Sequence, residues 1–391
     1  MVVAILLVAC IIMLCIFAEK FSDKVGMPAL IMFMFIGMLF GSDGIFKIPF
    51  EDFKMAENIC FVALIFIMFY GGFNTKWQAA KSVAGKAIIL SSLGVVLTAL
   101  ITAVCCHWML NFSWLESLLI GSVLSSTDAA SVFAILRKNK LNLKDGTASI
   151  LEVESGSNDP LSYLLTMVSI SLINGNGENN ILVIIVFQIV FGVIIGVLFA
   201  KTTIWLMTKS RLLSDGLETI FMIAMVLGCY GITTFVGGNA YLSVYLFGII
   251  LGNTRIPYKK TLIPFFDGVT SLAQIMIFFL LGLLIELFAR ILYLLSLFET
   301  ISQFRYVPIA RPIAVALLMI PMKCRKEQIG LISWAGLRGA SSSVFAIMAV
   351  AAGVAMEQDL FHIVFMVTLF SVGIQGTLLS YVSKVLKTSM V

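Results

Sequence analysis

The sequence predicts an all-α polytopic membrane protein of about thirteen transmembrane helices, an inverted repeat with two broken, crossing helices. Three observations predict it. Of 391 residues, 60% are hydrophobic and 12% charged, whereas soluble domains carry about 25% charged residues. Apolar runs of helical length recur from one end of the chain to the other. Two of them are interrupted near their middles by short polar or glycine-rich segments.

The runs lie near 2–18, 28–46, 57–73, 87–109, 115–136, 148–172, 180–207, 217–236, 239–253, 267–289, 306–322, 328–352 and 359–383. A crossing takes about twenty residues. The first run, Met1 to Ala18, has no basic leader and no small-residue cleavage site, so it reads as a transmembrane helix rather than a signal peptide. No soluble insertion and no regulatory domain after the last run are expected, so residues 1–391 read as one transmembrane domain.

The loops alternate in charge. Lys76, Lys81 and Lys86 follow the third run, and Arg137, Lys138, Lys140 and Lys144 the fifth. Lys201, Lys209 and Arg211 follow the seventh; Arg255, Lys259 and Lys260 the ninth; Lys323, Arg325 and Lys326 the eleventh; Lys384 and Lys387 come last. Loops 110–116, 173–179, 236–239 and 353–358 have no lysine or arginine. The basic loops are therefore expected in the cytoplasm, with the N-terminus outside and the C-terminus inside. The formal charge of +5 is a topology signal and no argument for nucleic acid. The seven cysteines lack C-x-x-C spacing and read as small hydrophobes, and two histidines make a histidine-built metal site improbable.

The sixth run contains Leu151-Glu-Val-Glu-Ser-Gly-Ser-Asn-Asp-Pro160. An ionisable residue at bilayer depth costs roughly 2.5–3.5 kcal/mol or more unless it is paired or faces water. Glu154 and Asn158 are four apart, as are Ser155 and Asp159, so on a helix they form one polar patch. This reads as a cation or proton pathway. The plainer reading, first-turn acids of a helix starting in water, suits Glu152 better than Asp159.

The fifth run is broken by Ser125-Ser126-Thr127-Asp128, the twelfth by Gly336-Leu337-Arg338-Gly339-Ala-Ser-Ser-Ser343. Glycines loosen a helix and serines satisfy freed backbone groups; the plainer reading is close helix packing by small residues. The two runs have opposite directions, as in inverted-repeat transporters whose breaks meet at the midplane. Asp128, Asp159 and Arg338 each lie roughly 15–18 Å from their own helix end, near the middle of a ~30 Å core.

Together, Ser126-Thr-Asp-Ala-Ala130, Glu154-Ser-Gly-Ser-Asn-Asp-Pro160 and Gly336-Leu-Arg-Gly-Ala340 resemble the monovalent cation/proton antiporters, and are similar to the NhaP-type branch with its bacterial potassium/proton antiporters. The resemblance runs from about residue 10 to about 385. It implies a thirteen-helix homodimer of the inner (plasma) membrane, with dimerisation helices and a six-helix core including 87–172 and 306–383. It implies potassium or sodium exchange for protons in pH homeostasis, no enzyme activity and no cofactor. Asp159 is then the carboxylate that holds a proton or a monovalent cation. Asn158 stands where electrogenic relatives have a second aspartate, implying electroneutral exchange. Thr127 through its backbone, Asp128 and Ser155 line the cation site. Glu154 forms a structural ion pair with Arg311 or, as the competing candidate, Arg338.

The chain departs from the pattern in two places. Many relatives have an acid just before the Gly-Gly of the third helix; here Tyr70 precedes Gly71 and Gly72. The stretch Leu287 to Val307, with Arg290, Glu299, Gln303 and Arg305, is more polar than expected and predicts an irregular lead into the eleventh run. An intramembrane aspartyl protease would also pair two aspartates, but Gly-x-Gly-Asp is missing. A passive cation channel is opposed by Arg311 and Arg338, and a proton-coupled organic-solute symporter would need a larger cavity.

Overall fold

The computed structural model describes residues 2–25, 27–128, 131–132, 142–175, 181–209, 216–285, 307–354, 356, 360–386 and 388–390. The irregular stretch predicted at 287–307 lies outside the described residues except for Val307, as do Ala129, Ala130, Arg137, Lys138, Lys140, Arg211 and Lys387.

Among the described residues, every predicted run contains a helix. The helices are α1 (Val2–Val25), α2 (Ala29–Phe40), α3 (Phe53–Asn74), α4 (Ala84–Leu110), α5 (Trp114–Leu124), α6 (Thr147–Ile173) and α7 (Ile181–Lys209). They continue as α8 (Glu218–Phe235), α9 (Ala240–Gly252), α10 (Lys259–Leu283), α11 (Val307–Met319), α12 (Lys326–Trp334), α13 (Ala340–Ala351) and α14 (Leu360–Val385). Among the described residues, 7 helices are long and apolar enough to cross a membrane. The 27-residue α6 is not among them, because Glu152, Glu154 and Asp159 interrupt its apolar sequence.

Local chemistry fixes several starts. Asp52 caps α3 by accepting from the Met55 amide at 2.8 Å, and Ser113 with Glu116 forms a capping box on α5. The predicted tenth run begins eight residues too late: α10 starts at Lys259, and its first turns carry Lys260, Pro264 and Asp267, which hid them from an apolar count. Beside the helices, Asn142–Leu143 pairs antiparallel with Ser389–Met390 and ties the approach to α6 to the residues after α14.

The helices pack as two groups. In the first, α3 lies on α9 and α10, α10 on α2, and α9 on α7 and α8. Glycines permit these approaches: a Cβ on Gly72, Gly248 or Gly252 would strike the partner backbone between α3 and α9, and one on Gly37 or Gly282 would do so between α2 and α10. In the second, α5 lies between α4 and α6, and α11 packs on α4 and α12. The groups meet where α13 packs along α3 and where α6 passes α9. Apolar side chains of both form one continuous core at that contact, including Phe69, Tyr241, Phe345 and Phe361. Broad apolar faces remain exposed on α1 and α7, such as Leu6, Phe17, Leu182 and Leu198, as in helices that face lipid.

Candidate functional site

Two short extended segments cross at the centre of the second group. The first, Ser126 to Asp128, follows α5. There the hydroxyls of Ser122 and Ser125 turn back onto the carbonyls of Leu118 and Ser122, each at 2.7 Å, in competition with continued helix. The second, Gly336 to Gly339, separates α12 from α13. The Asp128 amide donates to the Leu337 carbonyl at 2.8 Å, and Arg338 Nη1 donates to the Ser126 carbonyl at 2.8 Å. The expected crossing of two broken helices is present.

Its charges face the broken ends. Arg338 lies against the carbonyl end of α5, where the helix dipole is negative. The Asp128 carboxylate lies against Gly339 at the start of α13, where a Cβ would overlap it. It also accepts from the Ser131 amide at 3.2 Å and from the Ser131 hydroxyl. A Cβ on Gly336 would likewise overlap the Arg311 guanidinium. Both glycines of the second break therefore make room for a charged side chain.

Helix α6 passes beside the crossing and brings two carboxylates to it. Asp159 is 4% exposed. It accepts from the Ser126 hydroxyl and from Ser341 Oγ at 2.7 Å. No cationic side chain bonds it among the described residues. Five residues earlier, Glu154 is 1% exposed and receives Arg311 Nη1 and Nη2 at 3.1 and 3.0 Å, a bidentate pair. Arg338, the other arginine considered for Glu154, instead reaches the Ser126 carbonyl, while its amide donates to Ser371 Oγ at 2.9 Å. Its place on the crossing segment turns it toward the end of α5, so the ion pair does not include it.

Asn158 lies between the two carboxylates. Its Nδ2 donates to Thr127 Oγ1 at 2.5 Å and to Glu154 Oε1 at 3.3 Å. Thr127 Oγ1 donates to Ser155 Oγ at 3.0 Å. Asn158, Thr127 and Ser155 thus bond to one another and to the Glu154–Arg311 pair. Asp159, one residue on, makes its own bonds to Ser126 and Ser341.

The residues that bond Asp159, Ser126 and Ser341, were not singled out in the sequence as site residues. Their signal was present: both belong to the polar interruptions. Two contacts also cross to the other helix group beside Asp159. Asn239 Nδ2, at the start of α9, donates to the Pro160 carbonyl at 2.8 Å. The Tyr245 ring of α9 fills the space that a side chain at 156 would take.

A buried carboxylate beside two crossed half-helices defines the class of ion-coupled secondary transporters built on inverted repeats. Similarity to known proteins gives the family. Residues 6–385 match the family described as sodium/hydrogen exchanger, transmembrane, and the chain belongs to it. It is 35% identical over 385 residues to the K(+)/H(+) antiporter NhaP of Alkalimonas amylolytica, a match covering 98% of this chain and 67% of that protein. It is 33% identical over 374 residues to the K(+)/H(+) antiporter NhaP2 of Shewanella sp. (strain ANA-3), covering 94% of this chain and 64% of that one. The chain thus spans about two thirds of the length of these relatives. The fold matches the sodium proton antiporter MjNhaP1 from Methanocaldococcus jannaschii at pH 8 with a TM-score of 0.81, 20% identity and coverage of 99% and 98%.

Proposed function

We propose that this protein exchanges a monovalent cation, potassium in preference to sodium, for a proton at Asp159. The observation that carries this reading is the contrast in pairing: Asp159 is buried and held by hydroxyls, while its neighbour Glu154 is neutralised by Arg311. A bare carboxylate out of water is costly. A proton removes the charge, and a metal ion balances it, so each excludes the other. Serine hydroxyls and carboxylate oxygens suit a hard cation. The potassium preference follows the bacterial relatives, which are named as K(+)/H(+) antiporters.

The uncharged Asn158 keeps the site at one exchangeable charge, which fits electroneutral one-for-one exchange. Thr127, Ser155 and Asp128 flank the cation and hold the crossing in shape. In this reading the second helix group is the moving core and the first the dimer-forming part. The contacts of Asn239 and Tyr245 with α6 belong to one side of the cycle and break as the core shifts. The basic loops face the cytoplasm of a plasma-membrane protein, and exchange serves pH homeostasis.

The test is proton flux in proteoliposomes with an imposed pH gradient, adding potassium and sodium in turn. Cation-triggered flux in the wild type that Asp159→Asn lacks is the expected result. A folded wild type that answers neither ion defeats the reading, and equal flux from the variant defeats the assignment to Asp159.

A further inference from the structure

The extended break from Gly336 to Gly339 leaves the Arg338 amide without a helical acceptor, and a buried amide must find one elsewhere. It finds Ser371 Oγ of α14, 2.9 Å away. Both residues are buried, Arg338 at 5% and Ser371 at 6% exposure. Ser371 then donates its own proton to Gln375 Oε1 at 2.6 Å. Nearby hydroxyls behave differently. Those of Ser343 and Thr377 bond the carbonyl four residues back in the chain, the common habit of helical serine and threonine.

The backbone of α14 is shaped around this pair. From Ser371 to Gly376 it widens into a π turn, a rare form that recurs at functional sites. Within that turn the Gln375 carbonyl accepts from Trp334 Nε1 at 3.1 Å. Trp334 is the last residue of α12, just before the break, and Arg338 lies inside the break. One widened turn therefore holds the second break at two points.

The bonds continue to the buried carboxylate. Arg338 Nη1 donates to the Ser126 carbonyl at 2.8 Å, and the Ser126 hydroxyl donates to Asp159. Gln375, Ser371, Arg338, Ser126 and Asp159 are thus joined in sequence by direct hydrogen bonds, from α14 to α6.

From this geometry we infer that Ser371 and Gln375 are positioning residues for cation exchange: they fix the Arg338 backbone so that its guanidinium holds Ser126 on Asp159. They touch neither the cation nor the proton. Without them Arg338 shifts, Ser126 is released, and Asp159 loses a donor to its charged, cation-binding form. The inference rests on the antiport reading of Asp159. A polar contact that merely packs α14 on α12 is the competing account, and it predicts lost stability with unchanged ion dependence.

The experiment compares wild type, Ser371→Ala, Ser371→Thr and Gln375→Met. It measures half-saturating potassium and sodium for proton flux in proteoliposomes, thermal unfolding, and hydrogen–deuterium exchange of segment 336–340. Ser371→Ala is expected to raise half-saturation about three- to fivefold, the weight of roughly one hydrogen bond, with a plateau within about twofold of wild type. Exchange at the Arg338 amide should rise in the same variant. Ser371→Thr keeps the hydroxyl and should restore both readouts. Gln375→Met, similar in size but without the acceptor, should raise half-saturation about twofold. Unchanged half-saturation or unchanged Arg338 amide exchange in folded Ser371→Ala overturns the inference, as does a loss of affinity that Ser371→Thr fails to repair. If Ser371→Ala does not fold, Gln375→Met decides, and wild-type half-saturation there overturns the positioning role. Absence of cation-dependent flux in the wild type would instead remove the antiport reading, while amide exchange would still test the hold on Arg338.

Discussion

Glu154 and Asp159 are five residues apart on one helix and nearly equally buried, yet the protein treats them in opposite ways. Glu154 has a bidentate arginine and an asparagine amide; Asp159 has two serine hydroxyls. A buried pair of this kind fixes geometry, since removing one partner strands a charge. A carboxylate held by neutral donors alone keeps its charge open to a proton or an ion. On the proposed reading, the same residue chemistry gives structure at one level of α6 and exchange at the next.

The largest effect should come from Asp159→Asn, which breaks the comparison on the exchanging side. It should abolish cation-triggered proton flux, with the protein still monodisperse on size exclusion. Replacement on the structural side should do the reverse. Arg311→Met leaves Glu154 buried and unpaired and should cost about 3–5 kcal/mol, read as a fall in thermal unfolding temperature. Adding Glu154→Gln to it should recover much of that loss; a double variant no better than the single would show that the arginine acts through packing.

A smaller effect tests the crossing on which both depend. Gly339→Ala puts a methyl group against the Asp128 carboxylate, and overpacking should destabilise the protein by about 1–3 kcal/mol. A thermal scan that matches wild type would mean that the break can widen freely. Smallest of all, Ser341→Ala removes one of the two donors on Asp159. At about 1 kcal/mol for a hydrogen bond, half-saturation for potassium should change about fivefold while the unfolding temperature barely moves. A change in stability alone would place Ser341 with Glu154 rather than with the exchanging carboxylate.

Much of this architecture was legible in the sequence. Bilayer-length runs and alternating loop charge gave the helices, and Ser125 to Asp128 with Gly336 to Gly339 marked the breaks, because such residues interrupt apolar sequence for a reason. The division of labour on α6 was harder to read. Arg311 and Arg338 have similar depth, so spacing alone left both open for Glu154; only the direction in which Arg338 leaves the crossing separates them. Ser126 and Ser341 escaped because serine in membrane helices serves packing as often as binding. The early turns of α10 escaped because Lys259, Lys260, Pro264 and Asp267 lower the apolar count that marks a span. Contacts across more than 200 residues, such as Arg338 to Ser126, have no local signature at all.

The bond from Arg338 to the Ser126 carbonyl also sets a timetable for synthesis. Its partners are 212 residues apart, so α5 is made and placed long before its broken end can be satisfied. An unsatisfied backbone group in lipid costs several kcal/mol. During that interval the nascent first half must shelter the open end with water, lipid headgroups or an insertion factor. A ribosome stalled before Arg338 would release a chain that quality control can recognise by that exposed break.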